Sequence, residues 1–243
     1  MPFFAGVSGQ GFFQHRRIEH SRGDGGRGRP DAEVVLLHGL GQHSGDYHGF
    51  SRLLGTYGIE TWALDHVGHG MTAGALGETG LLDDLVENAR RLTSMVSERI
   101  GGGQPPVLVG HSLGAVVAAE AAMRDPGLCA GLVLSGVPFV PTDTERPSAR
   151  GRVSADARSR RQATDDVRRR FSERPAPVPT LVLHGGDDRI VPVDGVRAQL
   201  GGREDVDLVV FGDAGHDLPH EPVRKRVADV IAGFVLRVSV RPR

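Results

Sequence analysis

Short apolar segments recur along this chain, and longer amphipathic segments separate them. Runs rich in Val, Leu and Ile predict buried strands near residues 33–37, 59–64, 107–109, 131–135, 180–184 and 207–211. Amphipathic or alanine-rich stretches predict helices near residues 50–58, 81–99, 115–123 and 223–235. A first strand is expected within residues 10–20. Because apolar strands alternate with helices, the pattern predicts an α/β fold with a mostly parallel central sheet flanked by helices.

A length of 243 residues fits one α/β domain that spans residues 1–243. One interval, residues 138–177, interrupts the alternation of strands and helices because it is polar and rich in arginine. Two interpretations of it stay open. It is either a solvated surface helix or loop, or a short polar cap inserted over an active site.

Composition narrows the classes of function. A formal net charge of −1 gives no global field for nucleic acid or an anionic membrane. The one cysteine, Cys129, lies in an apolar stretch and is expected to be a buried, unreactive thiol. No apolar run approaches 18 residues, and the first residues lack the features of a secretory signal. The sequence therefore predicts a cytoplasmic protein without a membrane span, although peripheral contact with lipid stays open, as does the oligomeric state.

The segment that carries the most chemistry is residues 110–114, which read Gly-His-Ser-Leu-Gly. It lies between a predicted strand and a predicted helix, as a nucleophile elbow does. On such a turn the hydroxyl of Ser112 projects from the end of the sheet, and the backbone N–H of Leu113 is free to bind an oxyanion. The pair of glycines is needed because side chains there would collide with the strand and the helix.

A serine needs a base to remove its proton, and that base is usually a histidine oriented by a carboxylate. In this architecture the chain order is nucleophile, acid, histidine. Of the 11 histidines, His184, His216 and His220 follow Ser112. His216 lies in a glycine-containing loop just after a strand, where the sites of open parallel sheets lie, so it is the predicted base. His184 is at the tip of a strand, and His220 is the fallback.

The acid should leave the preceding strand, where Asp187 and Asp188 stand side by side. Only one of these carboxylates can point at His216, and the local pattern leaves the choice between them open. The other could cap a turn or pair with Arg189.

A second oxyanion donor should come from the loop after an earlier strand. Residues 38–41, His-Gly-Leu-Gly, are placed for this role, with the Leu40 N–H as the donor. We also expect His38, Gly39 and His111 to line the substrate-binding site.

A metal site is not expected in this chain, and no cofactor is expected either. His66 and His69 form an H-x-x-H pattern, but a third ligand and the helical setting of a zinc site are missing. A structural loop beneath the nucleophile is the better interpretation of these two histidines.

Taken together, these segments resemble the α/β-hydrolase superfamily, and within it the monoacylglycerol-lipase and lysophospholipase-like branch. Residues 38–47 resemble the HGxxxHSxxY signature of that branch, and residues 65–70 resemble its DHxGHG signature. The likeness extends from about residue 10 to residue 236. It implies the α/β-hydrolase fold, and it implies Asp188 as the acid, because that branch places the acid three residues after the first glycine of the strand-end turn.

The expected function is that of a serine hydrolase that cleaves carboxylic esters, either monoacylglycerol-like and lysophospholipid-like or small, through an acyl-enzyme with Ser112, His216 and Asp188. The cap of that branch is usually longer and has an apolar face, whereas residues 138–177 are short and polar, and 5% of the chain is aromatic. An exposed site of this kind would also suit a thioesterase, or an acyltransferase or cyclase in a biosynthetic pathway, that uses the same residues. A binding module that has lost hydrolysis on this fold is the alternative from another class.

Overall fold

A twisted sheet runs through the protein, and helices cover it on both faces. The computed structural model describes residues 3–5, 12–18, 30–74, 81–100, 104–139 and 155–240. In these residues the strands are β1 Phe3–Ala5, β2 Phe12–Ile18, β3 Ala32–Leu37, β4 Ile59–Leu64, β5 Val107–His111, β6 Gly131–Ser135, β7 Thr180–Gly185 and β8 Val206–Phe211. The helices are α1 His48–Gly55, α2 Leu81–Ile100, α3 Leu113–Arg124, α4 Ala155–Glu173, α5 Val193–Leu200 and α6 Arg224–Ser239.

The strand order in the described sheet is β1-β2-β4-β3-β5-β6-β7-β8. From β4 to β8 neighbouring strands pair in parallel, whereas β1 and β2 form an antiparallel edge. The six parallel strands confirm the predicted fold class. Because all six have their carboxyl ends at one edge of the sheet, the loops that follow them meet there.

Successive side chains of the central strands point to opposite faces of the sheet, and this divides the core between the two helical layers. In β3, Val35 and Leu37 join the hydrophobic cluster on the side of α2 and α3, whereas Val34 and Leu36 join the cluster on the side of α1 and α6. Successive side chains of a strand point to opposite faces, so a strand buried on both sides is apolar throughout. This is why the centres of β3 and β6 appear in the sequence as the apolar runs 34–37 and 132–134.

Most of the described part of the arginine-rich interval is helix α4, which packs on α3 and α2. Val167 and Phe171 of this helix are buried in the core, and the Phe171 ring lies 5.1 Å from that of Phe139. Helix α4 therefore belongs to the layer that covers the sheet. Residues 140–154 lie outside the described residues, so a cap formed by them stays a prediction. None of the described helices combines the length and the apolar character that a membrane span requires.

Candidate active site

Ser112 occupies a strained turn between β5 and α3. Its backbone angles are φ 50° and ψ −113°, and it is the one non-glycine residue with positive φ in the described part of the chain. A Cβ atom at Gly110 would overlap the Gly114 carbonyl, and a Cβ atom at Gly114 would overlap the Leu37 carbonyl. Strain of this kind in a non-glycine residue is concentrated at functional sites, where it positions a side chain. The structure thus has the strand–turn–helix geometry that the sequence predicts.

The carboxyl ends of β7 and β8 bring an aspartate and a histidine together. His216 Nδ1 lies 2.7 Å from Asp188 Oδ2. The other oxygen of Asp188 accepts hydrogen bonds from the N–H groups of Ile190 and Val191, each at 2.8 Å. Both oxygens of this buried carboxylate therefore have partners, and the carboxylate holds the imidazole by its Nδ1 side.

The charge of Asp188 is stabilised in spite of its burial. Burial by itself would raise the pKa of the Asp188 carboxyl. Hydrogen bonds from His184, His216 and the Val191 N–H outweigh this effect and lower the pKa well below its usual range. Asp188 is therefore ionised at neutral pH and can stabilise a positive charge on the His216 ring.

The alternatives for the acid and the base lie elsewhere. The Asp187 side chain is exposed, and its N–H donates to the Ala214 carbonyl at 2.9 Å. His220 Nδ1 binds Asp217 at 2.7 Å instead of Asp188. The structure thus pairs His216 with Asp188 and places both alternatives outside that pair.

His184, which the sequence places at the tip of a strand, is a neighbour of Asp188, and this contact was not predicted. It is fully buried, and its Nε2 lies 2.8 Å from the Val191 carbonyl and 3.2 Å from Asp188 Oδ2. A histidine at the tip of the strand that precedes Asp188, four residues before it, was the available signal. His184 therefore contacts Asp188 from within the core.

The His216 ring lies close to the turn that holds Ser112. The Ser112 N–H donates to the Ser135 carbonyl at 2.9 Å. The next residue, Gly136, has so little room that a Cβ atom there would lie 3.1 Å from His216 Cε1 and 3.2 Å from Nδ1. Residues 135–136 therefore touch both the serine and the histidine, which lie at the same edge of the sheet.

The loop that follows β3, residues 38–47, also approaches Ser112; we call it the Gly39 loop. A Cβ atom at Gly39 would lie 3.4 Å from Ser112 Cβ and 2.8 Å from Gln42 Oε1. The Gly39 N–H donates to Gln42 Oε1 at 2.9 Å. Within the described residues, neither the Leu40 N–H nor the Leu113 N–H has a hydrogen-bond acceptor. Leu40 is 54% exposed, and it directly follows Gly39, which lies beside Ser112.

The buried histidines His38 and His69 hold the Gly39 loop through hydrogen bonds to its backbone. The N–H of His66 donates to His38 Nε2 at 2.9 Å, so Nδ1 of His38 carries the proton and donates to the Gly39 carbonyl at 2.7 Å. The Gly41 N–H donates to His69 Nε2 at 3.0 Å, and Nδ1 of His69 donates to the Val67 carbonyl. Burial lowers the pKa of His38 to about 4, in spite of the hydrogen bond to Gly39, so this ring is neutral at pH 7.

The sequence predicts that His38 lines the substrate site. Its side chain is fully buried, and both of its ring nitrogens form hydrogen bonds within the protein, so it holds the Gly39 loop. Gly39 does lie beside Ser112. No group of three or more His, Cys, Asp or Glu side chains is arranged to hold a metal ion in the part of the chain that the structure describes.

His111 is buried next to the candidate base. Its ring centroid lies 5.1 Å from that of His216, and its Nε2 lies 3.5 Å from Asp217 Oδ1. Burial lowers the pKa of His111 to about 4, although the Asp217 carboxylate opposes this shift. A neutral ring at this place adds no positive charge beside His216.

Known proteins are similar to this chain in sequence and in fold. Residues 28–157 match the family model described as "Serine aminopeptidase, S33". A monoacylglycerol lipase of Mycolicibacterium smegmatis is 28% identical over 249 residues, which cover 85% of this chain and 89% of that protein. Human monoglyceride lipase is 36% identical over a shorter stretch of 109 residues, 44% of this chain and 35% of that protein. The crystal structure of the Paleococcus ferrophilus monoacylglycerol lipase superposes with a TM-score of 0.70 at 23% identity, over 93% of this chain and 99% of that one.

The fold and the elbow thus define an α/β-hydrolase. More narrowly, the chain belongs to the serine aminopeptidase S33 family, in its monoglyceride-lipase-like branch, and it is a carboxylic ester hydrolase.

Proposed function

We propose that this protein cleaves carboxylic esters through an acyl-enzyme formed on Ser112, with His216 as the base and Asp188 as the acid. The observation that carries the proposal is the 2.7 Å contact between His216 and Asp188 at the edge of the sheet where the Ser112 turn lies. An ionised, buried carboxylate on Nδ1 leaves Nε2 as the ring nitrogen that can take a proton.

In the first half of the reaction, Ser112 Oγ attacks the ester carbonyl carbon while His216 Nε2 takes the hydroxyl proton. The tetrahedral intermediate collapses, the bond from carbon to the alcohol oxygen breaks, and His216 returns the proton to the departing alcohol. In the second half, water attacks the acyl-enzyme with His216 as the base. The carboxylic acid leaves, and Ser112 regains its proton.

The negative charge on the carbonyl oxygen needs donors that are already in place. The N–H groups of Leu40 and Leu113 are suited to this role, since neither has an acceptor among the described residues. Leu113 also begins helix α3, and the positive end of the helix dipole favours an anion there. Gly39 supports this arrangement because a Cβ atom at that place would lie only 2.8 Å from Gln42 Oε1 and 3.0 Å from His111 Cδ2.

Monoacylglycerols and similar single-chain esters are the substrates we propose. The names of the mycobacterial and human relatives support this class. The family description names a serine aminopeptidase. Peptide-like amides are therefore the alternative substrate class that the test compares with esters.

The test compares the wild type with Ser112→Ala on a panel of substrates: p-nitrophenyl esters of increasing acyl length, a monoacylglycerol, an acyl thioester and an aminoacyl p-nitroanilide. We expect the wild type to hydrolyse the esters, with the monoacylglycerol turned over faster than the anilide. Ser112→Ala should lose at least about 10³-fold in kcat. Full esterase activity in Ser112→Ala would refute the role of Ser112, and a preference for the thioester or the anilide would refute the substrate class.

A further inference from the structure

The side chain of Gln42 joins two loops that are far apart in the sequence. Its Oε1 accepts hydrogen bonds from the Gly39 N–H at 2.9 Å and from the Tyr47 hydroxyl at 2.6 Å. Its Nε2 donates to Asp217 Oδ2 at 3.0 Å, across 175 positions of sequence. One half-buried amide thus connects the Gly39 loop with the residue that directly follows His216.

The orientation of this amide is determined by its partners. The Gly39 N–H can only donate, and burial holds the pKa of the Tyr47 phenol well above its usual value, so this hydroxyl keeps its proton to donate. Two donors require an oxygen, and the carboxylate of Asp217 requires a donor. Gln42 therefore presents its oxygen to its own loop and its NH₂ group to Asp217.

Asp217 is itself firmly held. His220 Nδ1 lies 2.7 Å from its Oδ1, and its backbone N–H donates to Glu221 Oε1 at 3.2 Å. The His220 ring also packs edge-on against Tyr47, with 4.8 Å between the ring centroids. The contact between Gln42 and Asp217 is thus part of a connected polar network and not an isolated surface pair.

We propose that Gln42 is a positioning residue that sets the distance between the Leu40 N–H and the His216 ring. This inference rests on the proposed function. The attacking oxygen must lie at a fixed distance from the base, and the oxyanion must lie at a fixed distance from the backbone donors. Small displacements of either group lower the rate by large factors. Gln42 acts on both sides at once, because it binds the residue before Leu40 and the residue after His216.

Gln42→Glu tests this proposal with nearly the same shape. The glutamate can still accept from Gly39 and Tyr47, but it places a carboxylate oxygen where the NH₂ group faced Asp217. Repulsion should move the loops apart and lower kcat about 10- to 100-fold, with KM changed less than about threefold. Gln162→Glu, on the exposed face of α4, makes the same chemical change and should keep both constants.

A reversed pair makes the test specific. In Gln42→Glu/Asp217→Asn the new carboxylate can accept from the NH₂ group of the new amide, so the hydrogen bond returns with donor and acceptor exchanged. We expect the double variant to recover at least about tenfold in kcat relative to Gln42→Glu. The urea midpoint of unfolding should fall in Gln42→Glu and rise again in the double variant.

Several outcomes would overturn the proposal. An unchanged kcat in Gln42→Glu, or a double variant no faster than the single one, would show that the contact does not position the site. A rise in KM with an unchanged kcat would make Gln42 a substrate contact instead. If the wild type hydrolysed no ester, the proposed function would fail, and the urea midpoints would still decide whether the two loops are joined through this pair.

Discussion

His216 Nδ1 lies 2.7 Å from Asp188 Oδ2, across 28 positions of sequence, whereas the adjacent Asp187 is exposed to solvent. The two aspartates have the same chemistry and differ only in placement, so they form a matched pair. In Asp188→Asn the fixed tautomer and the compensating charge are lost, and we expect kcat to fall on the order of 10³- to 10⁴-fold. Asp187→Asn should leave kcat unchanged. Steady-state kinetics with a p-nitrophenyl ester measures kcat for both variants. Equal losses of kcat in the two variants would contradict the assignment of Asp188 as the acid.

The tight packing at Gly114 gives a prediction about stability. A Cβ atom there would overlap the backbone carbonyl of Leu37, which cannot rotate away. We expect Gly114→Ala to lower the free energy of unfolding by about 3 kcal/mol, the upper end of the usual cost of overpacking. Gly49→Ala is the control, because nothing lies within 4 Å of the place that its methyl group would take in helix α1. It should be neutral or stabilise by up to about 1 kcal/mol. Urea unfolding followed by circular dichroism measures both, and a stable Gly114→Ala protein would be evidence against this geometry.

Burial makes three histidines a source of acid sensitivity. The pKa of His38 and that of His111 are lowered to about 4, and that of His66 is lowered well below 6.5, mainly because burial disfavours the charged ring. The unfolded chain binds protons at these sites below about pH 6.5, and the folded protein does not. Stability should therefore decrease as the pH falls from about 6.5 towards 4, by about 1.4 kcal/mol per pH unit for each of these rings.

Urea unfolding at half-unit steps between pH 5 and pH 7.5 measures this slope. The window lies above the usual titration range of carboxyl groups, so the histidines dominate it. A free energy of unfolding that stayed constant from pH 6.5 to pH 5 would show that the three rings are protonated in the folded protein.

The attachment of α4 to α3 depends on a buried carboxylate. Glu120 of α3 is 1% exposed, and it forms ion pairs with Arg124 at 2.7 Å and with Arg170 at 2.8 Å. Arg170→Ala leaves one of the two cations, so we expect a loss of about 1–3 kcal/mol in the free energy of unfolding. Arg169→Ala, one position away with a side chain 57% exposed, should change it by less than about 0.5 kcal/mol. Thermal and urea unfolding of the two variants checks this difference, and equal losses would contradict the ion-pair account.

Much of the fold was predictable because its signals are local. Strands β4 and β6 begin and end where the sequence predicted them, at residues 59–64 and 131–135, because each has apolar residues at most of its positions. The short strand β1 was not predicted, because three residues cannot show a period. Helix α5 was also missed, since its eight residues include a glycine and two charged residues that weaken the helical pattern.

The candidate site also has residues that the sequence predicts and residues that it does not. Ser112, Asp188 and His216 lie in motifs whose spacing is visible in the sequence. Gln42 is different, because a glutamine carries no local signal, and its contact with Asp217 depends on how two distant loops fold. The direction of the His38 side chain could not be predicted for a related reason. Its neighbour Gly39 lies beside Ser112, but the side chain of His38 points into the protein, and only the structure shows on which side of the loop a side chain lies.

Covalent labelling of Ser112 tests the central claim most directly. A fluorophosphonate reacts with an activated serine, whose oxygen bonds to phosphorus as fluoride leaves. Intact mass spectrometry of the wild type should show one adduct per chain, and tandem mass spectrometry of the peptide that contains residues 110–114 should place it on Ser112. Ser112→Ala and His216→Ala should remain unlabelled under the same conditions. An unlabelled wild type that hydrolyses esters, or an adduct located on another residue, would contradict the account.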